Sequence, residues 1–148
     1  MIAQYKNLSK RDYLWKMFEV IDCMQVNKEN TTTPREKQLM IEFLCLPKEY
    51  SYFMFSSQSK KYIKKEFEKR YNLVWTNQNL NNKIYSLIKK GLLFRDSEDQ
   101  IQFKPYISGS SKKIEKNLSE GKHFDLIFRF KTTEDGIDRF RSSCRDSG

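Results

Sequence analysis

The stretch 76-TNQNLNNKIYSLIKKGLLFRDSEDQIQF-103 carries the clearest structural pattern of the 148-residue chain. Thr76 suits a helix N-cap, and Gly91 stands where a left-handed residue closes a helix. Between them, apolar residues recur at the spacing of one helix face: Leu80, Ile84, Leu87 and Ile88. The pattern predicts an amphipathic helix over 77–90, with its asparagines and glutamine on the polar side.

Apolar and polar residues alternate directly after this helix. Leu92 and Phe94 precede the acidic segment 96-DSED-99, and Ile101 and Phe103 follow it. Period-two alternation on both sides of a short polar segment predicts a β-hairpin.

Further helices are predicted upstream from their start signals. A first helix over 9–26 begins at Ser9, and the polar segment 27–33 links it to a second helix that begins at Thr33. The apolar face of this second helix consists of Leu39, Met40, Phe43 and Leu44. A third helix is predicted over about 57–71, so from Thr33 onward the order is helix, helix, helix, hairpin.

The remaining segments carry weaker patterns. Residues 48–59 fit either a loop or a loop with a short strand. The small residues 108–111 suggest a flexible joint, 112–122 a brief helix and 124–130 a strand that alternates in hydrophobicity. We expect the polar residues 131–148 to form a weakly ordered tail or a docking peptide.

Positive charge is concentrated around the opening stretch. The chain has a net charge of +9 and a pI near 9.4, and residues 56–92 hold nine Lys or Arg against two Glu, a net +7. Such clustering favours a polyanionic partner, because bound phosphates release condensed counterions. The alternative is that the charge only keeps the protein soluble.

Composition argues against metal, redox, catalytic and membrane functions. The cysteines are odd in number and widely spaced, and the single histidine, His123, reads as an ordinary polar residue. Cys23 and Cys45 fall in helical runs and are expected to be buried thiols. No phosphate loop, HExxH or GxSxG motif occurs, so we expect no enzyme, cofactor or small-molecule substrate. No run of 18 apolar residues occurs, so a cytoplasmic, non-membrane protein is expected.

The predicted order resembles the winged helix-turn-helix family over residues 33–107. The resemblance is carried by 33-TPREKQLMIEFL-44, 59-SKKYIKKEFEKRY-71, 76-TNQNLNNKIYSLIKKGLLFR-95 and 100-QIQF-103. It implies a mainly α fold with a small β-sheet. Residues 1–32 would then add an N-terminal helix for packing or dimerisation, and 108–148 a C-terminal helix–strand extension.

In that family the helix before the wing enters the major groove of DNA. The resemblance implies that this role falls to the outward residues Asn77, Gln78, Asn81, Asn82 and Tyr85. It implies phosphate contacts for Lys60, Lys61, Lys64, Lys65 and Lys89. Because Asn and Gln pair with adenine, the implied partner is double-stranded, AT-rich DNA, bound by a regulator or replication accessory.

The acidic segment 96–99 departs from the family pattern, since a wing that touches phosphates normally offers Lys or Arg. Either the hairpin points away from DNA, or the fold binds a protein instead. The alternative function is therefore a structural or interaction component of a larger assembly, such as a phage particle. The single Ala beside many Lys, Asn and Ile suggests an AT-rich genome, and a phage or plasmid origin would extend the location to a host cytoplasm or virion. For the DNA-binding function we expect a homodimer through helix 9–26 and the C-terminal strand; for the assembly function we expect a partner protein.

Overall fold

The computed structural model describes residues 9–121, 124–133 and 136–146, and only the backbone of the last two segments. The prediction for His123 lies outside these residues. The described elements are α1 Lys10–Cys23, α2 Pro34–Leu44, α3 Lys48–Ser51, α4 Ser57–Tyr71, α5 Asn77–Lys89, β1 Leu93–Arg95, β2 Ile101–Phe103, α6 Pro105–Ser119, β3 Phe124–Thr133 and β4 Gly136–Asp146. The predicted class, mainly α with a small antiparallel sheet, is confirmed. Within the described ranges, no helix is long and apolar enough to cross a membrane.

The predicted helix starts are confirmed by their caps. Ser9 and Thr33 each form a reciprocal capping box with the residue three positions on, Asp12 and Glu36 respectively. The Thr76 hydroxyl accepts a hydrogen bond from the Asn79 amide at 3.1 Å. These side chains satisfy backbone donors that have no partner inside the helix.

Helix ends agree less closely with prediction. α5 ends at Lys89, and Gly91 has the predicted left-handed backbone, with φ of 81°. α1 ends at Cys23, three residues before the predicted end at 26. The thiol of Cys23 is exposed, so its predicted burial is wrong. Cys45 is partly buried, and this burial raises the pKa of its thiol.

The core is built around α2, of whose eleven residues seven are buried. α1 and α4 pack against it. The largest fully buried side chains come from α1, α2, α4, α5 and β1 or the residue before it: Leu14, Met17, Phe18, Leu39, Met40, Phe43, Ile63, Phe67, Leu80, Leu87, Leu92 and Leu93. The apolar face of α1 is therefore buried in the core of the same chain.

Two buried carboxylates join the helices. Glu42, 2 % exposed, accepts hydrogen bonds from two nitrogens of Arg11 at 3.1 and 3.2 Å and from the Tyr71 hydroxyl at 3.4 Å. Glu36, 1 % exposed, accepts from the Ser86 hydroxyl at 2.8 Å and from Lys90 Nζ at 2.6 Å. Because buried charges are costly unless paired, these contacts fix α1 and α4 on α2, and the end of α5 on the start of α2.

The hairpin pairs β1 with β2 and confirms that prediction, although with a different inward residue. Leu93 lies opposite Phe103 and both are buried, whereas Phe94 is half-buried. Leu92 is also buried but precedes the strand. The inward-facing position is therefore Leu93, one residue after the predicted Leu92. Leu93 and its partner Phe103 lie on the core side of the sheet.

Residues 105–119 form one helix, so the flexible joint predicted at 108–111 is wrong. The hydroxyl of Ser110 donates to the Tyr106 carbonyl at 2.7 Å, within the helix. Ser110 and Ser111 are 2 % and 4 % exposed, and α6 lies against α1. Small side chains in this segment allow α6 to pack closely against α1. A flexible linker has the same composition, so the sequence alone did not distinguish the two.

Two other segments also differ from expectation. Residues 48–51 form the short helix α3, followed by turns, where a loop or a short strand was expected. β3 contains the predicted strand 124–130 and pairs with β4 in an antiparallel hairpin, with an irregularity between Lys131 and Thr132. β4 lies within 131–148, which was predicted to be a weakly ordered tail or a docking peptide.

Candidate functional site

α4 and α5 are joined by two lysine–asparagine contacts. Lys60 Nζ donates to the Asn81 side-chain oxygen at 3.0 Å, and Lys64 Nζ donates to that of Asn77. Lys60 and Lys64 are one helical turn apart on α4, and Asn77 and Asn81 are one turn apart on α5. The earlier lysine contacts the later asparagine, so the two helices run in opposite directions along this contact. The contacts hold the ammonium groups beside α5.

Arg95, at the end of β1, extends this arrangement. Its guanidinium lies 5.9 Å from the centre of the Tyr85 ring, a cation–π distance. Positions 77, 81 and 85 are successive turns of α5, so Lys64, Lys60 and Arg95 form a line along one flank of the helix. We call these three side chains the cation row.

The three members of the cation row lie close enough to affect one another electrostatically. Burial lowers the pKa of Lys60, and the nearby cations Arg95 and Lys64 lower it further. An anion placed among these groups would relieve their mutual repulsion.

A separate set of polar side chains faces directly away from the core. Gln78, Asn82, Tyr85 and Lys89 follow the spacing i, i+4, i+7 and i+11, and all four are exposed, Tyr85 by 58 %. We call them the outward stripe. In the described part of the chain, the side chains of Gln78, Asn82 and Lys89 have no hydrogen bond or ion pair, so their polar groups are free for a ligand.

The structure therefore divides the predicted base-contacting residues. Asn77 and Asn81 lie on the flank that faces α4, and their side-chain oxygens already accept from lysines. The expectation that they share the face opposite the core with Gln78 and Asn82 is corrected. An asparagine that accepts from lysine keeps its amide donors but loses part of the donor–acceptor pair used to read adenine.

The predicted phosphate-contacting lysines are divided in the same way. Lys61 and Lys65 are exposed on the side of α4 opposite its buried residue Ile63. Within the residues that the structure describes, neither has a hydrogen bond or an ion pair. The structure places Lys60 and Lys64 beside α5, and Lys61 and Lys65 further around α4.

Lys89 and Lys90 are neighbours with different surroundings. Lys89 is exposed in the outward stripe, whereas Lys90 is 16 % exposed in its side chain and paired with the buried Glu36. Successive side chains on a helix point about 100° apart. Lys89 therefore points to solvent, while Lys90 points to Glu36 and helps to hold α5 on α2.

Two of the acidic side chains in the turn between the strands make hydrogen bonds or ion pairs within the hairpin itself. Asp96 accepts from the backbone amides of Glu98 and Gln100, both at 2.9 Å, and these bonds lower its pKa. Asp99 adopts a left-handed backbone, φ 59°, which Asp tolerates better than most residues. Its carboxylate lies 3.7 Å from Arg95. Two of the three acids thus have roles within the hairpin.

Arg95 was missed by the sequence reasoning. The available signal was its position: directly after the apolar residues 92–94 and directly before the acidic turn. In the described segments, no group of His, Cys, Asp and Glu side chains is arranged to hold a metal ion.

No known protein family, curated protein or solved structure matches the chain. The surface formed by α4, α5 and β1 is therefore the basis for assigning a function.

Proposed function

We propose that residues 33–107 form a winged helix-turn-helix that binds double-stranded DNA without catalysing a reaction, as a regulator or replication accessory. One observation carries the proposal: α5 presents free Gln78 and Asn82 side chains outward, next to lysines held along its flank. A polar, base-reading surface bordered by phosphate-binding cations is what a DNA-reading helix requires.

The order of elements supports the same proposal. α2, α4 and α5 precede the β1–β2 hairpin, which is the order of the family that the sequence resembles. A helix about 10–12 Å wide fits a major groove about 12 Å wide. With α5 in the groove, the outward stripe faces base edges and the cation row faces one phosphate strand.

The acidic turn is compatible with this proposal. Asp96 uses its carboxylate to close the turn, and Asp99 faces Arg95. These roles are local to the hairpin, so the acids need not mark a surface for a basic partner. Of the three acids in the turn, only Glu98 has no side-chain hydrogen bond or ion pair with the residues that the structure describes.

Replacing Asn82 with alanine is expected to reduce the preference for A·T-rich over G·C-rich duplex by about 1–3 kcal/mol, because one bidentate base contact is lost. Nonspecific affinity should change little, since the phosphate contacts remain. Fluorescence anisotropy with both duplexes, at several salt concentrations, measures the two effects separately.

Asn79→Ala is the matched control for this experiment. Asn79 is exposed on the same helix, but it lies on the flank away from α4. Equal losses of preference in both variants would contradict a base-reading role for the outward stripe. No binding of any duplex at low salt would contradict DNA binding altogether.

A second candidate function, assembly with further copies of the chain, is favoured by an exposed aromatic pair. Tyr52 and Phe53, between α3 and α4, are 89 % and 74 % exposed. Their segment is held in place because the buried Ser59 hydroxyl donates to the Phe53 carbonyl at 2.7 Å. Exposed aromatic side chains are typical anchors of protein interfaces.

If assembly is the function, Tyr52→Ser combined with Phe53→Ser should convert an oligomer into a monomer in analytical ultracentrifugation. Val74→Ser is the control, since Val74 is 71 % exposed but isolated between α4 and α5. A wild-type chain that is already monomeric at high concentration would contradict self-assembly through this pair.

A further inference from the structure

We propose that one phosphodiester strand of bound DNA runs along the cation row. In the free protein the Asp99 carboxylate is paired with Arg95, and a DNA phosphate displaces this carboxylate on binding. The inference rests on the proposed DNA binding. It adds Arg95 as a phosphate-binding residue and assigns the acidic turn a role as an internal competitor.

The shape of the row favours a strand over a single anion. Its members lie beside residues 77, 81 and 85, which are four residues apart, so neighbouring members are separated by about 6 Å along the helix. Three cations in a line over about 12 Å match a polymeric polyanion. A site for one phosphate would instead converge its donors on one point.

Two members of the row are held by neutral groups, and one by an anion. Lys60 and Lys64 donate to asparagine oxygens, which leaves their charge uncompensated. Arg95 instead has the Asp99 carboxylate at 3.7 Å and the Asp99 backbone oxygen at 3.4 Å. A carboxylate oxygen beside a guanidinium stands where a phosphate oxygen would bind.

The Asp99 contact is weak enough to be exchanged. The Asp99 side chain is 84 % exposed, and such ion pairs contribute little in water. A DNA phosphate would contact Arg95 while neighbouring phosphates contact Lys60 and Lys64, so the polymer gains from all three cations. The Tyr85 ring lies 5.9 Å from the guanidinium, and this contact does not have to break in the exchange.

The turn does not depend on the charge of Asp99. Asp96 supplies the side-chain hydrogen bonds that close it, and asparagine tolerates the left-handed backbone of position 99 as well as aspartate does. Asp99→Asn therefore removes the competitor and leaves the hairpin intact.

Asp99→Asn is expected to tighten duplex binding about threefold more than Glu98→Gln, because both remove one negative charge but only Asp99 contacts Arg95. Repeating both substitutions in an Arg95→Gln background should abolish the difference between them. Anisotropy titrations at fixed salt measure all six proteins, with the unsubstituted chain and Arg95→Gln as references.

The outcomes separate this inference from the proposed function. If duplex binds but Asp99→Asn and Glu98→Gln have equal effects, the competition by Asp99 is overturned while DNA binding stands. If no variant binds duplex, DNA binding itself is overturned.

Inorganic phosphate is the second probe. The NMR signal of Arg95 Nε–H should shift with duplex but not with inorganic phosphate at an equal phosphate concentration. An equal shift with inorganic phosphate would overturn the strand along the row in favour of a single-anion site.

Discussion

Glu36→Ala is expected to lower the free energy of unfolding by about 3–5 kcal/mol, because it removes one partner of a buried ion pair. The substitution leaves Lys90, 16 % exposed in its side chain, without its carboxylate at 2.6 Å. It also removes the Glu36 half of the capping box at the start of α2, which leaves the Thr33 amide without its side-chain acceptor. Urea denaturation followed by circular dichroism measures the loss.

Glu68→Ala provides the matched control. Glu68 is exposed on α4, and within the described part of the chain it has no side-chain hydrogen bond or ion pair. Its replacement should change stability by no more than about 0.5 kcal/mol. Equal losses of stability in the two variants would show that the contacts of Glu36 with Ser86 and Lys90 contribute nothing measurable to the free energy of unfolding.

The pH dependence of stability gives an independent readout for Glu36. Burial alone would raise its pKa, but hydrogen bonds from Lys90, the Thr33 amide and Ser86 outweigh burial and lower it below the ordinary 4.5. Because the folded pKa is the lower one, the stabilisation is present above the unfolded pKa and is lost as pH falls through the folded pKa. Glu36→Gln should therefore lose less stability than the unsubstituted protein when the pH falls below about 4.5.

Replacing Lys60 and Lys64 together with glutamine is expected to weaken duplex binding about 60-fold at 0.1 M salt, if each lysine makes one phosphate contact. The log–log dependence of affinity on salt should become shallower by about 1.8. Sequence preference should stay the same, since phosphate contacts carry no base information. Anisotropy titrations between low and moderate salt measure both quantities.

Lys61→Gln combined with Lys65→Gln is the control for charge alone. This pair lies on the same helix and removes the same charge, but its side chains point away from α5. The control should weaken binding by a smaller factor and change the salt dependence less. If both double variants lose affinity equally, net charge governs binding and the positions of Lys60 and Lys64 beside α5 do not matter.

Local signals in the sequence predicted much of the helical fold. Thr33 with Glu36, and Thr76 with Gly91, marked the ends of helices because caps act within a few residues. The alternating residues around 96–99 predicted the hairpin, although Leu93, and not Leu92, takes the inward position in the strand. The small residues 108–111 were misread, because a helix packed closely on α1 and a flexible joint share the same composition.

The candidate site was predicted by residue type more than by arrangement. The apolar stripe of α5 showed which side of the helix is polar, so Gln78 and Asn82 were expected to face outward. Helical spacing alone did not show that Lys60 would reach Asn81, since that contact joins two helices. Arg95 was missed because its role depends on Tyr85, ten residues earlier.

The sequence by itself determined where most helices begin, which faces are apolar, and that positive charge gathers in 56–92. Caps, periodicity and composition are local properties, so the chain carries them before it folds. Only the tertiary structure decided which charged groups hold the protein together and which remain free. Glu36 uses Lys90 and leaves Lys89 exposed, and α5 engages Lys60 and leaves Lys61 exposed. The physical reason is that pairing and burial depend on distances between elements far apart in sequence, which a one-dimensional pattern does not contain.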